Sequence, residues 1–369
     1  MKIVVIGAGV AGLSIGWRLA QAGAQVTVLE RAQPGGGATW ASAGMIAATA
    51  EIEESETPQA RFARHSTALW PHFAREIEEA SGVDVGYRVD GTLIVANSAG
   101  EAERLRARGK ASPALEFLLP DAARSLEPLL AENIEGALLD SAEGQVDNRA
   151  LAPALATGFR RAGGVLQTNE AVIRIEVESG RAASARTPFA LHRADAFVLA
   201  AGAWSSRLEG IPAEASPPII PVKGEMISLL PNARALPNHM IWGNEVYLVP
   251  RHDRLLLGAT VTREGFDTGT TKAAAEWLYG HACALMPSLR QCDLMDHWAG
   301  LRPGSPDDLP LIGPSALDGL FIASGQFRNG ILLAPAIAEA MRDLILNHVS
   351  PEPAFDPRRF AKPGPSTYL

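Results

Sequence analysis

The chain opens with Ile3-Val4-Val5-Ile6, a continuous apolar run rich in β-branched side chains, the pattern of a strand buried on both faces. Residues 13–20 switch to helical periodicity, and Gln25-Val26-Thr27-Val28-Leu29 returns to strand. Apolar positions Phe62, Leu69, Phe73 and Ile77 then share one face of a helix over 58–81. Alternation over 83–96, broken by Asp90-Gly91, predicts a hairpin. Short charged helices are expected at 101–109 and 121–130, and a longer one at 148–162 leads into a strand after Gly163-Gly164. Strands follow at 171–177 and 194–204, the second ending in small residues that suit either a strand-to-helix turn or a close approach to a ligand.

A second strand-rich block covers 217–300, with strands at 222–229, 245–250, 254–261 and 293–298 and a helix at 271–285. Two arginines then sit in glycine-rich turns, Ala299-Gly300-Leu301-Arg302-Pro303-Gly304 and Ser324-Gly325-Gln326-Phe327-Arg328-Asn329-Gly330, and the second runs into an apolar helix over 331–338. The pattern predicts an α/β fold with two interleaved, discontinuous domains. One comprises 1–82, 146–216 and 300–350; the other, α+β on a mostly antiparallel sheet, comprises 83–145 and 217–299. The proline-rich tail, 351–369, reads as a loose terminus.

The glycines between the first strand and helix, Gly7-Ala8-Gly9-Val10-Ala11-Gly12, change this from a fold to a function. Gly7 permits a tight turn, Gly9 lets backbone approach a pyrophosphate, and Gly12 allows close helix packing. The helix start favours phosphate, and Glu30, at the end of the second strand, can accept from ribose hydroxyls while disfavouring a 2′-phosphate. NADP is therefore not expected. After Glu30, small residues continue for about a dozen positions, a backbone able to lie along an extended cofactor, which selects FAD over NAD.

Composition bounds the rest. The chain has 369 residues, 33 Lys plus Arg against 41 Asp plus Glu, and a pI near 5.6, which argues against nucleic acid as a partner. Its two cysteines, Cys283 and Cys292, have no metal-ligand spacing, so no metal is expected. No apolar run reaches the roughly 20 residues of a membrane span, and the N-terminus lacks a secretory pattern, so a cytoplasmic protein is expected.

Several stretches together resemble the D-amino-acid-oxidase family of flavoproteins, in particular thiamine-pathway glycine oxidases. They are 4–30, 37–51 (GATWASAGMIAATAE), 198–204 (VLAAGAW), 246–251 (VYLVPR), 257–260 (LGAT), 298–304 and 324–335, the last containing FRNGILLAP. The resemblance implies a glutathione-reductase-type FAD domain, noncovalent FAD, and oxidation of glycine, sarcosine or a small D-amino acid by molecular oxygen. It also implies a homotetramer and a role in thiamine thiazole synthesis. No cysteine occurs in 304–314, where sarcosine oxidases attach their flavin.

Carried over by position, Val10, Ala11, Glu30, Arg31, Ala38, Thr39, Ala43, Gly44, Met45 and Val172 would line the FAD, together with Gly7, Gly9 and Gly12 of the turn. Ala201, Gly202 and Trp204 at the strand end would join them. Gln326, Phe327, Asn329, Gly330, Ile331 and Leu332 would lie against the flavin. Arg302, Tyr247 and Arg328 would face substrate. Arg302 suits a carboxylate, although Asp307 or Asp308 is an alternative partner; Arg328 suits substrate, flavin or backbone. Glu245 is either an amine ligand or a solvated strand residue. Glu245 and Val261 replace a His and a Met that such oxidases can carry, so both are expected to tune the substrate pocket. No residue is assigned as acid or base. The competing readings are a D-amino acid dehydrogenase with a non-oxygen acceptor and a nonenzymatic flavin-binding subunit.

Overall fold

The computed structural model describes residues 1–52, 56–230, 236–243 and 245–361. Its first sheet has six strands in the order Leu311–Pro314, Leu320–Ser324, Ala196–Leu199, Lys2–Ile6, Gln25–Leu29, Val165–Gln167. All neighbours are parallel except the first pair. The apolar run at 3–6 is explained by its two faces. Ile3 and Val5 join the core beneath helices Val10–Gln21, Pro58–Ser81, Asn148–Arg161 and Ala334–Asn347. Val4 and Ile6 pack on the other side with Ile175, Ala182 and Phe197, beneath an antiparallel three-stranded sheet.

The second sheet has eight strands: Asp293–Gly304, Ile220–Leu230, Leu255–Gly258, Val246–Pro250, Met240–Gly243, Thr92–Ala96, Gly136–Asp140 and Leu115–Leu118. Only the Met240–Gly243 pairing with Thr92–Ala96 is parallel. Alternation divides its side chains cleanly. Ile227, Leu248 and Leu257 pack against helix Lys272–Leu285, whereas Met226, Tyr247 and Trp298 face the opposite cluster with Ala41, Ala43 and Met45.

Four expectations change. The segment 299–304 is not a turn but the second half of the long strand Asp293–Gly304, paired along its whole length with Ile220–Leu230. Its glycines are there for side-chain space. The apolar helix starts at Ala334 rather than 331, because residues 327–333 form tight turns first. Asp90-Gly91 makes no hairpin: Gly91 has a left-handed φ of 80°, and Thr92–Ala96 pairs instead with Gly136–Asp140. The tail is not loose through its described part, since Phe355 is fully buried and meets Phe62 edge-on at 5.2 Å; residues 362–369 lie outside the described residues. Cys283 and Cys292 are buried, unbridged members of the helix-covered core. No described helix is long and apolar enough to cross a membrane.

If residues 353–360 are part of the core, Phe355→Ala should destabilise the fold by roughly 3–5 kcal/mol, as for other large-to-small core changes. Chemical denaturation at equilibrium measures it; a loss under 1 kcal/mol would return this segment to the status of a loose tail.

Candidate functional site

A cavity of about 540 Å³ lies between the two sheets. At one end it meets the turn after strand Lys2–Ile6. Gly7 has φ 105°, and a Cβ there would strike the carbonyl of Ala200. At Gly9, by contrast, a Cβ would find only Thr39 Oγ1, at 3.5 Å, so its bareness keeps the backbone open to the cavity rather than serving packing. Helix Val10–Gln21 begins here with no side-chain cap and no acid in its first turn, and only the Val10 N–H is taken, by Thr39 Oγ1 at 3.0 Å. That is an anion-binding helix start.

The segment after Glu30 is held against this cavity from several sides. Glu30 accepts from the N–H of Ala8 at 2.7 Å and of Ala32 at 3.0 Å. Asn148 donates to the carbonyls of Thr39 and Trp40, Trp298 Nε1 to Ala41, and Arg251 to Ala43 and Val146. The Arg31 guanidinium lies 3.6 Å from the centre of the Trp204 ring. The loop 326–332 closes another wall. Phe327, at φ 48°, donates its N–H to Pro303, while Ser66 and Trp70 both donate to the carbonyl of Leu332. Buried Gln326 Nε2 and Asn329 Oδ1 have no hydrogen-bond partner among the described residues.

The other end is built on the eight-stranded sheet. Trp298, Gly300 and Arg302 point the same way by alternation, opposite Met226, Gly224 and Val222 on the paired strand. A Cβ at Gly224 would collide with the Arg302 guanidinium, one at Gly258 with the Tyr247 ring, and one at Gly300 with Ala41. Three glycines thus create the room for an arginine, a tyrosine and the Ala38–Ala41 turn. Arg302 Nη1 donates to the carbonyl of Thr260 at 3.0 Å and more weakly to that of Lys223 at 3.3 Å. Among the described residues no carboxylate forms an ion pair with it; Asp307 binds Arg359 instead. Burial lowers the Arg302 pKa and raises that of Tyr247, with the neighbouring charge of Arg302 opposing the rise. Tyr247 stacks on Trp242, ring centres 5.3 Å apart.

All but one of the residues expected around FAD line this cavity: Gly7, Gly9, Val10, Ala11, Glu30, Arg31, Ala38, Thr39, Ala43, Gly44, Met45, Val172, Ala201, Gly202, Trp204, Gln326, Phe327, Asn329, Gly330, Ile331 and Leu332. Gly12 is the exception; it sits beneath the turn, where a Cβ would collide with the Gly7 carbonyl. Arg302, Tyr247 and Arg328 line the opposite end. Glu245 and Val261 do not line the cavity, which corrects their expected pocket role. Glu245 occupies a left-handed turn (φ 67°) before strand Val246–Pro250, so the parity that would align it with Tyr247 is broken and its side chain is exposed. Val261 lies past the end of strand Leu255–Gly258 and is 50% exposed.

Among the lining residues that the sequence reading did not single out, one is a carboxylate near Arg302. Glu51 ends the short helix Ala48–Glu51 and meets Arg328, Oε2 to Nε 3.1 Å. Its signal was a carboxylate closing the otherwise small and apolar run 43–51. Burial pushes its pKa up, with Arg328 and then Arg302 pulling it down. Glu143 holds the turn that carries it, accepting from the N–H of Thr49.

The donor set fits FAD: an uncapped helix start and bare Gly9 for phosphates, Glu30 at a strand end, and unpartnered amide groups at the far wall. Neither cysteine lies there, and no histidine is among the lining residues, so the structure offers no attachment point of those types.

Two outcomes follow. Gly224→Ala should displace Arg302 while the sheet still forms; carboxylate affinity should fall at least about tenfold with little change in circular dichroism, a displaced buried contact being worth more than 1 kcal/mol. Burial, the largest influence, raises Glu143 to about 8. A carboxyl raised in the folded state stabilises below its ordinary value of 4.5, and that contribution is lost as pH climbs through about 8. Glu143→Gln should therefore raise the melting temperature relative to the parent at pH 9 but not at pH 4.5. Equal differences at both pH values would show that Glu143 does not titrate there.

Comparison with known proteins is consistent with this site. The family model described as DAO, FAD dependent oxidoreductase, matches residues 2–344. A glycine oxidase of Geobacillus kaustophilus is 34% identical over 96% of this chain and 94% of its own length. One from Pseudomonas aeruginosa is 33% identical over 98% and 99%. The crystal structure of the Geobacillus kaustophilus glycine oxidase superposes with a TM-score of 0.89 at 33% identity, covering 96% of this chain and 98% of that one. The chain belongs to the DAO family of FAD-dependent oxidoreductases.

Proposed function

We propose that the protein is an amino-acid oxidase that deaminates glycine, or a similarly small amine such as sarcosine or a small D-amino acid. The products are the 2-oxo acid, ammonia or amine, and hydrogen peroxide. The observation that carries this reading is Arg302, a half-buried guanidinium that faces the cavity beside Tyr247 and forms no ion pair with a carboxylate among the described residues. A buried cation without a counter-ion is costly unless a ligand supplies one.

The chain's residues bind and orient. The Arg302 fork would take the substrate carboxylate, with the Tyr247 hydroxyl as a second contact. Burial keeps that hydroxyl protonated and able to donate. A dry pocket also favours the neutral amine over the ammonium, which is the form able to lose hydride. Gly7, Gly9, Glu30 and Arg31 would hold the dinucleotide, and residues 326–332 the ring system. When bound, FAD supplies the two-electron acceptor that oxygen regenerates. Similarity to the glycine oxidases supports glycine itself, with a role in thiamine thiazole synthesis. The homotetramer rests on the family resemblance of the sequence alone, and a cytoplasmic location on the chain's make-up. We read the six- and eight-stranded sheets as the FAD and substrate domains; the strand Asp293–Gly304 carries the second past the boundary expected at residue 299.

Anaerobic flavin bleaching by glycine, sarcosine, D-alanine and D-proline, followed by readmission of air, tests this reading. Bleaching by at least one of them, reversed by air with peroxide formed, is expected; bleaching reversed only by an artificial acceptor would make it a dehydrogenase. Arg302→Ala should raise the dissociation constant for substrate roughly 10²- to 10³-fold, the loss of two charge-assisted hydrogen bonds. An unchanged constant would remove Arg302 from the substrate site.

A further inference from the structure

Among the described residues seven charged ones line the cavity, and they fall into two groups. Glu30, Arg31, Arg207 and Glu209 lie with the dinucleotide turn and the Trp204 wall. Arg302, Arg328 and Glu51 gather around Tyr247, whose hydroxyl feels all three. Other charges near this end are satisfied elsewhere. Lys223 is bound by Glu264 at 2.9 Å and Asp267 at 2.8 Å. Glu225 is taken by His297 and Thr271. Among the described residues two guanidinium groups therefore face one carboxylate at this end, and Glu51 lies in ion-pair range of Arg328, Oε2 3.1 Å from Nε, without hydrogen-bond alignment. Arg328 also lies over the Trp242 ring, 5.3 Å from its centre, whereas Arg302 has only carbonyl and phenol partners.

Resting on the carboxylate-binding reading of Arg302, we propose that Glu51 sets the charge class of the substrate: by pairing with Arg328 it leaves one uncompensated cation, so the pocket accepts monocarboxylates and rejects dicarboxylates. A second substrate carboxylate would need a second free cation, and Arg328 is the only one placed to offer it among the described lining residues. Rejection then comes from an occupied arginine, with the carboxylate of Glu51 repelling the additional anion. Glu51 acts on specificity through Arg328 and is a positioning residue in this scheme.

The test is a charge cycle on the FAD-loaded enzyme, reading equilibrium dissociation constants by flavin absorbance and calorimetry at low salt. The probes are glycolate as the monoanion and malonate and succinate as dianions of two lengths. Glu51→Gln adds a net charge, Arg328→Gln removes one, and the double variant restores the original count. Arg328→Gln, which strands Glu51 as a free carboxylate, should weaken glycolate about tenfold, the size of one unit charge a few ångströms away at the effective dielectric of a protein site. The double variant should return glycolate to within about threefold of the parent. Glu51→Gln should favour at least one dianion over glycolate by about tenfold more than the parent does, and the double variant should lose that gain.

If Glu51→Gln does not load FAD, Arg328→Gln against the double variant still decides, because a purely steric role for Arg328 would leave the double variant as weak as the single. That result, or a dianion preference unmoved by Glu51→Gln, overturns the proposal. Failure of the parent to bind glycolate at all would remove the carboxylate site and this inference with it. Glycolate binding that is constant across the cycle would remove the charge count alone.

Discussion

The site depends on one expensive arrangement: a half-buried guanidinium on a β-strand that, among the described residues, forms no ion pair with a carboxylate. Arg302 is kept there because Gly224, on the paired strand, leaves the space its planar head occupies, and because two backbone carbonyls accept from it. Carbonyl dipoles offset part of the desolvation of a cation but not its charge. Much of the local architecture follows from that deficit. Gly258 seats Tyr247 alongside, Glu225 pins Thr260, whose carbonyl Arg302 uses, and Phe327 ties the 326–332 wall to Pro303, the next residue along the strand.

The two ends of the cavity use different physics. Near Gly9 the anion site is made of backbone: N–H groups at a helix start, reachable because no side chain intervenes. Near Arg302 it is made of side chains whose direction is set by strand alternation. Between them the segment 35–45 has few anchors of its own and is held by Asn148, Arg251 and Trp298 from elements far away in sequence. That segment carries the chain to Glu51, so the position of the one carboxylate at the substrate end is also fixed from outside, by Glu143.

Much of this was legible in the residues. The strand–turn–helix at 2–21, the helix at 58–81 and the acid at Glu30 follow from periodicity and the φ demands of glycine, which are local properties. The misreadings share a cause. Gly300 and Gly304 suggested a turn, yet they lie in a strand where their missing side chains make room for Ala41 and Val222. Glu245 and Val261 were expected in the pocket because they replace a His and a Met that similar oxidases can carry, but a left-handed turn and a strand end leave both outside the cavity lining.

What the sequence by itself determined was therefore the nucleotide-binding unit and the class of cofactor, because short-range backbone geometry and residue chemistry specify them; the pairing of Arg302 with Tyr247 was an expectation supplied by the family resemblance. Only the tertiary structure decided which side chains share the substrate end, and there it replaced Glu245 and Val261 with Glu51. The reason is geometric. Glu51 is separated from Arg328 by most of the chain, and their 3.1 Å contact exists only because helix Ala48–Glu51 and the 326–332 turn are each docked on other elements. No local pattern in either segment encodes that meeting.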